Sequence, residues 1–177
     1  MRQSFFENNQ LSVETLPRLH ALVFQNLEKD YLRVSLIAAS IFSSLFVIAA
    51  VIIVFFLSDE LGSLKSMLIL GAALIISSLI MWLTYKGFKF KKYALRQKDI
   101  LFQSGYIFRS QTVVPFNRIQ HCEINQGPID RAFDLAALKI YTAGGSYSDL
   151  SIPGLHRQTA EDLKHFIIKK TAIGEEE

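Results

Sequence analysis

The residues with the most reactive side chains are few and scattered. His121 and Cys122 are adjacent, the pairing of a metal site, but they fall in an alternating run, Arg118 to Asn125, that predicts a strand. Neighbours on a strand point to opposite faces, so the two do not readily share one ion. His156 and His165 lie nine residues apart around a helix start and have no ligand spacing. Ser146, Ser148 and Asp149 with a distant histidine lack the strand-to-helix elbow that presents a nucleophile. Gly144–Gly145 lacks the strand–loop–helix setting of a phosphate cradle and reads as a hairpin turn. No catalytic residue, metal ligand or cofactor is assigned, and an enzyme is the least favoured class. Four basic residues remain: Arg109, Arg118, Arg131 and Lys139. Converging, they would bind an anionic headgroup or a partner's carboxylate. Apart, Arg118 and Arg131 are suited to holding turns, because a guanidinium's donor fork fits backbone carbonyls.

The elements that must position these residues are organised by two uncharged runs. Val34–Leu57 has 24 residues and Met67–Tyr85 has 19, within spans drawn at 34–57 and 64–85. A hydrocarbon core about 30 Å thick needs roughly 20 apolar helical residues, so each run is long enough to cross it. The polar link of residues 58–66 is too short for a domain, which predicts an antiparallel membrane hairpin. A secretory signal is the rival for the first run, but its apolar region is about 7 to 15 residues and follows a short basic start. Here 33 mostly polar residues precede a longer run. Neither span contains Asp, Glu, Lys, Arg or His, which disfavours an ion or proton pathway within this chain alone.

Charge predicts orientation. Lys86, Lys89, Lys91, Lys92, Arg96 and Lys98 follow the second span, Lys29 and Arg33 precede the first, and the link carries Asp59 and Glu60 against Lys65. Basic flanks stay cytoplasmic, so a two-pass protein of the plasma (inner) membrane with both termini cytoplasmic is expected. Trp82 and Tyr85 occupy the place of an interfacial aromatic anchor, beside Lys86, Lys89, Lys91 and Lys92. The same lysines invite attraction to anionic lipid, although any membrane protein needs such a flank for topology. The formal charge of +3 is too mild to suggest nucleic acid. Cys122 is the sole cysteine, which rules out an intrachain disulfide and fits a reducing compartment.

The remaining segments divide into residues 1–33, a domain over 86–172 and an acidic tail at 173–177. In the first, Leu16, Leu19, Val23, Phe24, Leu27 and Tyr31 recur at helical spacing after Thr15 and Pro17, predicting an amphipathic juxtamembrane helix. In the domain, short strands are expected at 93–96, 100–102, 106–108, 111–114, 118–125, 138–142 and 148–152, with a helical turn from Gly127–Pro128 to Phe133. Pro153–Gly154 should end the last strand. A closing helix over 156–171, capped by Thr159, should bury Leu163, Phe166 and Ile167. Such strands with one closing helix read as a mainly-β sandwich or barrel plugged at one end.

Three stretches carry a resemblance: Val114-Pro-Phe-Asn-Arg-Ile-Gln120, Gln126-Gly-Pro-Ile-Asp-Arg-Ala-Phe133 and Leu138-Lys-Ile-Tyr-Thr-Ala-Gly144, after a Leu16–Pro17 near the start. Their order and spacing resemble the bacterial pleckstrin-homology-like (YdbS-like) two-span membrane proteins over nearly the whole chain. The resemblance implies a membrane α-helical hairpin plus a cytosolic PH-like domain of about seven strands in two sheets, capped by the C-terminal helix. Where that family usually has glycine, this chain has Asp134, which tolerates a positive φ better than most residues. The expected function is a non-enzymatic scaffold or interaction module in a membrane complex, as a homo- or hetero-oligomer with a related PH-like membrane protein. The alternatives are a sensor of anionic lipid headgroups and an accessory subunit of an export or antimicrobial-peptide-resistance system.

Overall fold

The computed structural model describes residues 23–143 and 150–173. Two long helices come first: α1 over Lys29–Phe56 and α2 over Ser58–Phe88. Leu57 alone separates them, so the polar link is mostly helical backbone, bent at Gly62 where φ 69 and ψ 164 leave the helical region. Two membrane-capable helices result, Lys29–Phe56 and Gly62–Phe88. At 1.5 Å per residue each is about 40 Å long, so their ends project beyond the hydrocarbon core. Within them Ser44, Ser78 and Thr84 return their hydroxyls to the carbonyl four residues earlier, which satisfies polar groups within the uncharged runs. Val34, Ser43, Ala50 and Ala73 are buried, and the Ser40 hydroxyl lies 3.7 Å from the Met81 sulfur across the antiparallel pair.

The domain is two antiparallel sheets. One has the order β1-β2-β3-β4, with β1 at Gln25–Asn26, β2 at Lys92–Leu95, β3 at Asp99–Ser104 and β4 at Ser110–Pro115. The other has the order β5-β6-β7, over Ile119–Asn125, Leu135–Thr142 and Leu150–His156. A short helix α3, Pro128–Ala132, joins β5 to β6, and α4, Arg157–Ile173, closes the domain. Ile100, Leu138, Ile140, Ile152 and Ile167 are fully buried in one core to which both sheets and α4 contribute. The four-plus-three strand arrangement capped by a helix is a PH-like architecture.

Four features differ from expectation. Residues 15–22 of the predicted amphipathic helix lie outside the described residues, and the part described before Lys29 is not helical: Gln25 and Asn26 pair with Tyr93 and Lys92, and Leu27 enters the core. Strand β1 thus precedes both spans, and the membrane hairpin is inserted between β1 and β2. Residues 106–108 are the β3–β4 turn rather than a strand, because Ser104 already pairs with Ser110. The last strand continues through Pro153–Gly154. Between the pairs Ala136–Leu155 and Leu138–Ile152, β7 carries one extra residue, a bulge that Gly154 permits at φ +64. Finally, α4 begins at Arg157, so Thr159 lies inside its first turn, and Phe166 is 37 % exposed, edge-on to Phe116. Asp134 adopts φ +53, as its place in the turn requires, and its carboxylate lies 3.0 Å from His156 Nε2.

Candidate functional site

The basic residues Arg109, Arg118, Arg131 and Lys139 do not converge. The Arg118 carbonyl accepts from Ala143 at the far end of β6, whereas Arg131 precedes the near end, where its carbonyl accepts from Asp134. Seven strand steps from Leu135 to Thr142 put these ends about 23 Å apart. Lys139 lies mid-strand opposite Glu123, within 2.9 Å of Asn125 when that amide is turned with its oxygen towards the lysine. Arg131 faces a shallow cleft with Arg157, itself paired with Glu161 at 3.1 Å. Arg109 lies in the β3–β4 turn of the other sheet, its guanidinium over Phe90, 5.6 Å from the ring centroid. Backbone groups of Arg118 and Arg131 take part in holding these turns.

His121 and Cys122 take opposite faces. His121 is exposed and stacks on Tyr141 at 4.3 Å, and Tyr141 donates to Glu123 at 3.0 Å. That hydrogen bond raises the Tyr141 pKa from its ordinary value. Cys122 is buried, and desolvation pushes its thiol up to about 11, so it is protonated and poorly nucleophilic near neutral pH.

What does converge is the junction between hairpin and domain. The last turn of α2 continues through Lys89, Phe90 and Lys91, whose N–H groups donate to Lys86, Gly87 and Phe88, and then enters β2 at Lys92. The chain ahead of α1 passes alongside, because β1 pairs with β2. Asn26, Leu27, Lys29, Phe88, Lys89, Lys91 and Lys92 therefore line one cavity of about 280 Å³. Two of the lining residues, Leu27 and Phe88, are apolar and four are lysines. Lys91 is oriented by Tyr31, donating to its hydroxyl at 3.2 Å with Nζ 5.0 Å from the ring centroid.

A chain of aromatic and basic contacts runs from the last turns of α2 to the β3–β4 turn. Lys86 lies over Trp82 at 5.9 Å and Lys89 over Tyr85 at 5.2 Å. Trp82 meets Tyr106 edge-on at 5.7 Å, and Tyr106 meets Phe90 at 5.2 Å. The aromatic and lysine positions read from the sequence as interfacial thus fall in the last two turns of α2 and the segment that follows. Sequence reasoning missed Asn26 and Leu27 as lining of the cavity and Tyr31, Phe90 and Tyr106 as its aromatic neighbours, and used Lys29 only as flanking charge. The available signal was the basic run that follows the second span.

The chain is 28 % identical to the transmembrane protein YdbS of Bacillus subtilis (strain 168) over 111 residues, 62 % of this chain and 68 % of that protein. No solved structure matches the chain. Residues 34–171 match the family model of the bacterial PH domain. With two membrane-capable helices, two antiparallel sheets and a capping helix in that order, the chain is a membrane protein that belongs to the bacterial PH domain family.

Proposed function

We propose that this is a non-enzymatic protein of the plasma membrane, both termini cytoplasmic, whose PH-like domain is an interaction module that binds an anionic lipid headgroup in the lysine-lined cavity. The observation that carries this reading is the cavity's composition: Lys29, Lys89, Lys91 and Lys92 around Leu27 and Phe88, where the spans leave the bilayer. In this reading a phosphate is drawn to the lysines, and the glycerol and upper acyl carbons lie against Leu27 and Phe88. The basic flanks that support cytoplasmic termini are the same residues.

The test is the full chain in mild detergent, exchanged into mixed phosphatidylglycerol and phosphatidylcholine, with retained lipids counted by native mass spectrometry. Selective retention of phosphatidylglycerol is expected. Each lysine near the surface contributes about 1 kcal/mol of attraction, so changing all four to Gln should weaken retention by roughly two to three orders of magnitude. Equal retention of both lipids, or an unchanged quadruple variant, sinks the reading. Inorganic phosphate is the control for a site that needs no lipid.

A second reading is assembly with another copy or a related membrane protein, the scaffold role. It is favoured by how little the hairpin covers itself: 17 % and 6 % of the most apolar stretches of the two helices are buried within the chain. Crosslinking in native membranes should then yield a defined higher-mass species, and a strictly monomeric chain at native abundance counts against it.

A further inference from the structure

The turn between β3 and β4 carries an apolar tip that the headgroup cavity does not explain. Ile107 is 65 % exposed and Phe108 88 % exposed. Scattered exposed apolar residues are ordinary on any protein surface. These two are adjacent, at the tip of a tight turn with a defined shape. Gly105 has φ +98, and a Cβ there would collide with the Phe108 carbonyl, so the turn depends on glycine. Ser104 pairs with Ser110 immediately below it, which fixes the turn to the sheet.

The height of the turn relative to the bilayer follows from one contact. Tyr106 packs edge-on against Trp82, ring centroids 5.7 Å apart. Trp82 lies three residues before Tyr85, the end of the uncharged run, hence about 5 Å inside the boundary of the span. The next two residues of the turn are therefore presented beside the helix at the level where aromatic belts lie. Arg109 then stacks on Phe90, two residues beyond the helical end of α2, a position suited to phosphate oxygens. An aromatic seat, an apolar tip and a cation above it match the order of acyl boundary, glycerol and headgroup.

We infer that Ile107 and Phe108 insert into the leaflet that α2 leaves, with Arg109 at its phosphates. The occupant is the bilayer itself, because the tip follows directly on Tyr106, which packs on Trp82, a residue of the span. The domain is thereby held at two separate places, the backbone junctions at Lys29 and Phe88 and the inserted tip. That restrains its tilt and keeps the lysine-lined cavity facing lipid. The insertion does not require an anionic ligand and should persist in neutral phosphatidylcholine, where the headgroup reading predicts an empty cavity.

The experiment uses the full chain reconstituted in phosphatidylcholine vesicles, with Cys122→Ala to remove the native thiol. An environment-sensitive fluorophore is attached at Phe108→Cys, and at Gln97→Cys in the β2–β3 turn at the opposite end of the same sheet. Insertion by the usual interfacial depth of about 5–10 Å should make iodide quenching at 108 about five-fold weaker than at 97. Lipids carrying a quencher near the carbonyl should quench 108 strongly and 97 little. Equal iodide quenching at the two positions overturns insertion. Protection from iodide without quenching by lipid means that protein covers the tip, and overturns it too. Should Phe108→Cys fail to fold, Ile107→Cys serves with the same criteria.

Discussion

Leu27→Asp should destabilise the domain by about 3 kcal/mol, although two membrane spans separate residue 27 from the other strands in sequence. Leu27 is 4 % exposed and lies in the same core as Tyr93, Leu155 and Ile167. Burying a leucine is worth about 1.5–3 kcal/mol, and a carboxylate there must either be desolvated or pull the segment out of the core. The second route limits the loss to the worth of docking β1 and Leu27, which sets the figure. It is a large share of the 5–15 kcal/mol typical of a domain. The measurement is urea titration of the full chain in detergent, read by proteolysis of the strand-rich region. Val23→Asp is the control: Val23 is 87 % exposed, so a change within about 0.5 kcal/mol is expected. If Leu27→Asp resists protease as the wild type does, β1 is not part of the domain.

The second large effect is expected at Gly154. Its φ of +64 is a conformation that costs other residues about 1–2 kcal/mol, and a Cβ there would overlap the ring of Tyr31. The Glu28 N–H donates to the Gly154 carbonyl at 3.1 Å in the same contact. Gly154 is where the base of α1 rests on β7, so a side chain there has no direction in which to yield. Gly154→Ala should lose about 3 kcal/mol and Gly154→Val more, since a β-branched residue is poorer still at positive φ. Tyr31→Ala separates the two causes. Combined with Gly154→Ala it should recover the part due to overlap and leave the part due to φ, a coupling of about 1 kcal/mol or more in a double-mutant cycle. Additive losses would show that the ring and the glycine do not meet, and an undiminished Gly154→Ala would remove the docking contact altogether.

Both variants probe how the hairpin is fastened to the domain, and this is where reading the chain and seeing it folded diverge. Strand β5 was legible because apolar and polar residues alternate from Arg118 to Asn125, and β2, β3, β4 and β6 as short strand-forming runs between turn residues. The buried positions of α4 followed the helical period at Leu163 and Ile167 but not at Phe166, which packs at the rim against Phe116. The positive φ of Asp134 was legible from its place in the motif. By contrast β1 has two residues, too few for any period. The Tyr106–Phe108 triplet has strand-like composition, yet it turns because Gly105 reverses the chain. Pro153–Gly154 carries the composition of a terminator, yet it is a bulge because β6 continues to pair on either side.

The candidate site shows the same division. Its lysines were visible as flanking charge, but the cavity needs Asn26–Lys29 beside Phe88–Lys92, two segments some sixty residues apart that β1–β2 pairing brings together. The four basic residues singled out in the domain had no such pairing to gather them, and 23 Å of strand keeps Arg118 from Arg131.

By itself the sequence determined that two uncharged stretches cross a bilayer and that short alternating strands with a closing helix form a domain beside it. Those are local properties, since hydrophobicity and its period are carried by neighbouring residues. Only the tertiary structure decided that the hairpin interrupts the domain after β1, that Gly154 seats Tyr31, and that lysines from both flanks share one cavity. Each depends on contacts between segments distant along the chain, and no local period records which distant surface a side chain will meet.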